Sequence, residues 1–165
     1  MSTTHAPRRT PARPATLLRA GVALLAIVAV ALVLVLVGKP DITKTRVESS
    51  LNPAFSNLYV QQQKILGHPR VTTAAMKTTS SCDRGGPKVA DVGAGPDWIC
   101  LVDFVDNTGT LQKEAKFELQ IHANSCYTAG APTKLLGSFT ITDPTSGAEV
   151  PNPVNAFDVC FNPDA

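Results

Sequence analysis

No acidic side chain occurs in residues 1–38, no aromatic one occurs before Phe55, and no cysteine occurs before Cys82. Aromatic and cross-linking residues are thus confined to the part of the chain after residue 50, which is where a globular domain is expected. From Ala20 to Gly38 the sequence AGVALLAIVAVALVLVLVG has no charged or polar side chain at all. That absence excludes a proton or ion path through the stretch. It also has no two small residues four positions apart, so it lacks the close-approach helix dimer motif.

Other absences bear on chemistry. The cysteine spacings contain no C-x-x-C pair, which argues against a zinc ribbon and against a thioredoxin-type redox site. The glycines at Gly85, Gly86, Gly93 and Gly95 fit neither GxxxxGK[ST] nor a strand–GxGxxG–helix context, so no phosphate loop is expected. No G-x-S-x-G surrounds any serine. Asp83, Asp91, Asp97, Asp103 and Asp106 cluster in sequence without the ligand spacing of an EF-hand, and solvated strand ends explain them better than calcium. His122 and Cys126 are four apart, but the segment has strand and turn character, so a Cys–His nucleophile pair is not assigned. No catalytic, cofactor or metal residue is proposed, and the chain is not expected to be an enzyme.

What is present organises the chain. Nineteen apolar residues at 1.5 Å each span about 28 Å, close to the roughly 30 Å hydrocarbon core of a bilayer. Residues 20–38 are therefore expected to be a transmembrane helix with the lipid bilayer as their partner. Residues 1–19 carry Arg8, Arg9, Arg13 and Arg19 among prolines and threonines, and are expected to be a disordered cytoplasmic tail by the positive-inside rule. Thr10-Pro11-Ala12 after Arg8-Arg9 does not suit a twin-arginine signal. The small-x-small Ala29-Val30-Ala31 lies mid-span with LVLVLV after it, so an uncleaved anchor is favoured over a cleaved signal peptide. The rest of the chain has eleven bases against thirteen acids, a balance of −2, and gives no reason to expect nucleic acid.

Residues 39–52 are expected to be a stalk, and 53–165 a single extracytoplasmic α+β domain. Val47, Leu51, Ala54, Phe55, Leu58 and Ile65 fall on one helical stripe. Asn52-Pro53 offers an N-cap and first helical position for a helix to Leu66, with a longer helix from about Thr43, kinked at Pro53, as the alternative. Gln61, Gln62 and Lys64 are expected on its solvated face. Arg70–Ser81 suits a strand, and Cys82–Pro96 a long glycine-rich loop. In Asp97–Asp106 the residues Trp98, Cys100, Val102 and Phe104 alternate with more polar neighbours. In Leu111–Ala123 the residues Ala115, Phe117, Leu119 and Ile121 alternate with Lys116, Glu118, Gln120 and His122. With Asn107-Thr108-Gly109-Thr110 between them, the two runs predict a hairpin. Lys134–Thr142 and Asn155–Phe161 are further strand candidates. The sum is an amphipathic helix on an antiparallel sheet of about four or five strands.

Four cysteines beyond the apolar run predict two disulfides in an oxidising compartment. Of three connectivities, Cys82–Cys100 with Cys126–Cys160 is favoured, because it ties the glycine-rich loop to the clearest strand and staples the last strand. The run CDRGGPKVADVGAGPDWICLVDF followed by FELQIHANSCYTAGAP, with the Ala-, Pro- and Arg-rich N-terminus, resembles actinobacterial membrane-anchored or secreted cell-envelope proteins that have no assigned activity. The resemblance implies a location and no chemistry. The expectation is a single-pass cell-envelope protein whose extracytoplasmic domain binds or scaffolds an envelope protein or glycan. The alternatives are an accessory subunit of a transport or secretion complex and a small envelope-modifying enzyme.

Overall fold

The computed structural model describes residues 42–161 of the 165-residue chain. The expected transmembrane helix over 20–38 and the tail before it lie outside the described residues. Among those described, no helix is long and apolar enough to cross a membrane.

The first helix, α1 (Lys44–Ile65), buries Val47, Leu51, Phe55 and Tyr59, a stripe four residues apart on one face. Thr43 caps it, its hydroxyl accepting from the Arg46 N–H at 3.4 Å. The stalk expected over 39–52 is therefore corrected from Ile42 onward: Ile42, Val47 and Leu51 are core residues. Asn52-Pro53 does not start the helix, and Pro53 sits exposed inside it. A proline there forfeits a hydrogen bond and costs about 3 kcal/mol. Burying Val47 and Leu51 on the preceding turns stabilises by about 1.5–3 kcal/mol each, so the longer helix wins.

Against α1 lies a five-stranded antiparallel sheet. Its strands are β1 (Thr79–Asp83), β2 (Gly95–Val105), β3 (Leu111–Ile121), β4 (Cys126–Gly130) and β7 (Ala156–Cys160), paired in the order β1-β2-β3-β4-β7. Trp98, Cys100, Val102 and Phe104 of β2 and Ala115, Phe117, Leu119 and Ile121 of β3 are all buried, and Lys116, Glu118, Gln120 and His122 are exposed, as period two requires. The Phe55 ring packs edge-on against Phe104 and Phe117, with centroids 5.0 and 5.4 Å away. The fold is α+β, with the core between one helix and one sheet face.

Three expectations are corrected in detail. Arg70–Ser81 is not one strand: a short helix α2 (Thr73–Met76), capped by the Thr72 hydroxyl, precedes β1 and inserts Met76 into the core. The loop expected from Cys82 begins after Asp83, since Cys82 pairs with Cys100 in the ladder. Lys134–Thr142 breaks into a helical turn α3 (Thr133–Leu136) and the short strand β5 (Thr140–Thr142), because Gly137 adopts φ +90° between them. β5 pairs with β6 (Glu149–Pro151) as a separate two-stranded hairpin.

The loop after β1 is fastened rather than loose. Arg84 donates to the Val92 carbonyl at 2.6 Å and pairs with Asp97 at 2.9 Å. The loop in turn holds the start of α1, where Gly93 N–H donates to the Ile42 carbonyl at 2.8 Å and Lys44 N–H to the Asp91 carbonyl at 3.1 Å.

Both disulfides join directly opposed residues of neighbouring strands. Cys82–Cys100 links the edge strand β1 to β2, and Cys126–Cys160 links the other edge strand, β7, to β4. They differ in setting. Cys82 and Cys100 have no accessible surface, whereas Cys160 is exposed and Cys126 half-buried. No cysteine is left free.

Candidate functional site

The residues singled out in the sequence serve structure. The four cysteines form the two bridges, so Cys126 has no thiol for His122 to activate; the two meet only through the main chain, His122 N–H donating to the Cys126 carbonyl at 2.8 Å. The aspartates are each committed. Asp83 accepts from the Gly85 and Gly86 N–H groups, Asp91 from Arg84 N–H, and Asp103 from Glu114 N–H. Asp97 pairs with Arg84. Among the described residues, no three His, Cys, Asp or Glu side chains gather in a way that could hold a metal ion.

Several hollows among the described residues carry polar groups, and the one backed by buried amides was not singled out in the sequence. A cleft of about 320 Å³ opens between the C-terminal half of α1, the tip of the β2–β3 hairpin and the segment around α3. Its walls include Tyr59, Gln63, His68, Asp106, Gln112 and Leu135. A second hollow of about 440 Å³, reaching Arg70 and Met76, adjoins it and shares His68, Asp106 and Asn107.

Asp106 anchors the hairpin tip. One carboxylate oxygen accepts from Thr108 N–H, the Thr108 hydroxyl and Thr110 N–H at 2.7–2.9 Å, and the other from the Gln112 amide at 2.7 Å. Burial is the largest single influence on this carboxyl and works against its charge. The hydrogen bonds from Thr108, Thr110 and Gln112 together outweigh it and pull the pKa down to about 2. Asp106 is therefore an anion across the physiological range and unsuited to donate a proton there.

Because its folded pKa lies below the unfolded value of 3.8, the unfolded chain binds the proton first. The stabilisation is present above about pH 4 and is lost as pH falls toward about 2. Replacing Asp106 with alanine is expected to cost about 1 kcal/mol at neutral pH, the part-exposed setting keeping it small. The gap between wild type and Asp106→Ala should close between about pH 4 and pH 2 in urea unfolding. A gap unchanged at pH 2 would rule the carboxylate out as its source.

Two aromatic residues close the cleft floor. Phe104 is buried, and Tyr59 is 5% exposed. Burial chiefly raises the Tyr59 pKa; the nearby Asn107 main chain opposes this, and the Asp106 charge adds to it. Its hydroxyl stays neutral.

Behind the wall runs a chain of amides. Asn152 donates to the main-chain carbonyls of Leu136 and Ser138, both at 2.9 Å. Gln62 donates to the Leu136 carbonyl at 2.6 Å and to Asn152 Oδ1 at 3.0 Å, and Gln63 donates to Gln62 Oε1 at 3.1 Å. Gln62 is thus buried, not solvated as its neighbours Gln61 and Lys64 are. Gln63 is 5% exposed, and its Oε1 has no partner.

No protein-family model, curated protein or solved structure matches the chain.

Proposed function

We propose that the chain is a single-pass membrane-anchored cell-envelope protein, N-terminus cytoplasmic, whose disulfide-bonded extracytoplasmic domain binds an envelope component. The observation that carries this reading is the cysteine usage: all four are consumed in two bridges, an economy suited to an oxidising compartment. The uncharged run over 20–38 supplies the anchor on the physical grounds of its length and composition. The cleft between α1, the β2–β3 hairpin tip and the α3 segment offers such a component a hollow of about 320 Å³.

The test is the intact mass of the membrane-extracted chain, with and without reduction before alkylation. The expected result is the full-length mass, with four cysteines alkylated only after reduction. A mass lacking the N-terminal segment would make the protein a secreted one. Four thiols reactive without reduction would place the domain in a reducing compartment and overturn the topology.

A further inference from the structure

We propose that the outer edge of β7 is a docking site for an extended segment of a partner protein, which joins the sheet as a further strand and sets a basic side chain against Asp158. Hydrogen-bond parity along β7 carries the argument. Just past the two ends of the β4–β7 ladder, Phe161 N–H donates to the Ser125 carbonyl and Ala131 N–H to the Asn155 carbonyl, both at 2.8 Å. These pairs continue the register of Tyr127 with Val159 and of Ala129 with Phe157. Bonded and non-bonded pairs alternate in an antiparallel ladder, so Phe157 and Val159 direct their main-chain groups to β4. Those of Ala156, Asp158 and Cys160 point the other way, and among the described residues no strand lies there to meet them.

The opposite edge of the sheet is closed by α1. Cys82 N–H of β1 donates to the Glu48 carboxylate at 2.9 Å, and the Ser56 hydroxyl donates to that of Thr78, just before the strand, at 2.7 Å. Beside β7, by contrast, α1 leaves a hollow of about 520 Å³, lined by Pro53 and Ala54 of the helix and by Val159 and Phe161. It shares no lining residue with the cleft described above. Successive side chains of a strand alternate between the two faces. A strand added to β7 therefore turns every second side chain to the α1 side of the sheet, where the hollow receives an apolar one. The Cys126–Cys160 bridge holds β7 to β4, so the incoming strand meets an edge already fixed in place.

Charge selects the occupant. Asp158 is exposed on the open strand, its carboxylate accepting from the Thr128 hydroxyl, and among the described residues no basic side chain pairs with it. Two copies of this chain pairing β7 to β7 through all three outward residues would set Asp158 directly against Asp158. Like charges directly opposed destabilise a sheet, whereas lysine or arginine at that place stabilises it. The partner segment is thus defined by apolar residues at every second position and a basic one between them. Its main-chain hydrogen bonds supply the affinity and its alternating side chains the selectivity.

The experiment uses the full-length ¹⁵N-labelled chain in a zwitterionic detergent. The probe is acetyl-VTVKVTV-amide, N-methylated at its valines so that it cannot pair with itself on both edges. In the free protein, the N–H groups of Asp158 and Cys160 are expected to exchange with solvent quickly and those of Phe157 and Val159 slowly. The probe should give saturable shifts at the Ala156, Asp158 and Cys160 amides, with an affinity of about 0.1–1 mM, and should slow exchange at Asp158. The same peptide N-methylated at its lysine and threonines instead keeps every side chain but cannot donate to the edge, and should not bind. Asp158→Lys should weaken the probe about fivefold and strengthen the matching peptide with glutamate for lysine by a similar factor. Should that variant not fold, the lysine and glutamate peptides compared on the unaltered chain decide the same point.

No saturable shift up to about 5 mM probe would overturn the proposal. Equal binding of the two methylated peptides would do so as well, by placing the site away from the edge. Equal binding of the lysine and glutamate peptides would overturn the basic partner. Protection of the three outward amides that fades on dilution, with no peptide present, would make a second copy of this chain the occupant instead.

Discussion

Phe55→Ala is expected to remove about 3–5 kcal/mol, a large part of the roughly 5–15 kcal/mol that holds a domain of this kind together. The Phe55 ring is fully buried, and it is the point at which helix and sheet meet. It touches Tyr59 on its own helix, Phe104 on β2 and Phe117 on β3. Alanine leaves a cavity that neither side can close. The sheet partners are held in register by the β2–β3 ladder, and the Tyr59 ring packs edge-on against Phe104 with centroids 5.2 Å apart. The check is the urea midpoint of Phe55→Ala beside that of Phe139→Ala. The exposed ring should cost within about 0.5 kcal/mol of nothing. Equal losses at the two positions would mean that α1 does not pack on the sheet as described.

The two disulfides should separate under mild reduction of the folded protein. Chain entropy alone assigns about 3 kcal/mol to Cys82–Cys100 and about 4 kcal/mol to Cys126–Cys160, from separations of 18 and 34 residues. Access reverses that ranking. A thiolate must reach a sulfur to exchange with it; Cys160 is exposed, whereas Cys82 and Cys100 lie under α1 and the sheet. Label from an alkylating agent is therefore expected on Cys126 and Cys160 first, in a species that still unfolds cooperatively. Cys82 and Cys100 should be labelled only as the domain unfolds. Labelling of all four together would show that the first bridge holds the whole fold, and labelling of the inner pair first would contradict the burial.

The sheet's centre was legible because its chemistry is local. In β2 and β3 every second residue is apolar for eight positions, and a polar turn with Gly109 joins them. The cysteine pairing was legible because each bridge closes a recognisable unit. Pro53 misled because a capping signature is worth about 1 kcal/mol, less than the burial of Val47 and Leu51 that overrides it. The cleft was not legible in the sequence, since its walls come from α1, the hairpin tip and the α3 region, which no local spacing connects. One signal did point toward it. The stripe Val47, Leu51, Phe55, Tyr59 continues three and four positions on to Gln62 and Gln63. Amides on the core face of a helix must find partners inside the protein.

Each of the two edge strands is sewn to its inner neighbour by a disulfide, so the sheet is hemmed on both sides, and the hem sets how far the molecule can stretch. A pull on the two ends would unravel α1 and the unlinked loops. It could not draw out the chain enclosed between Cys82 and Cys100 or between Cys126 and Cys160, 18 and 34 positions long. At about 3.5 Å per residue, roughly 180 Å of extension is withheld. Reduction would release that slack in two steps of unequal length, the longer one from the bridge that faces solvent.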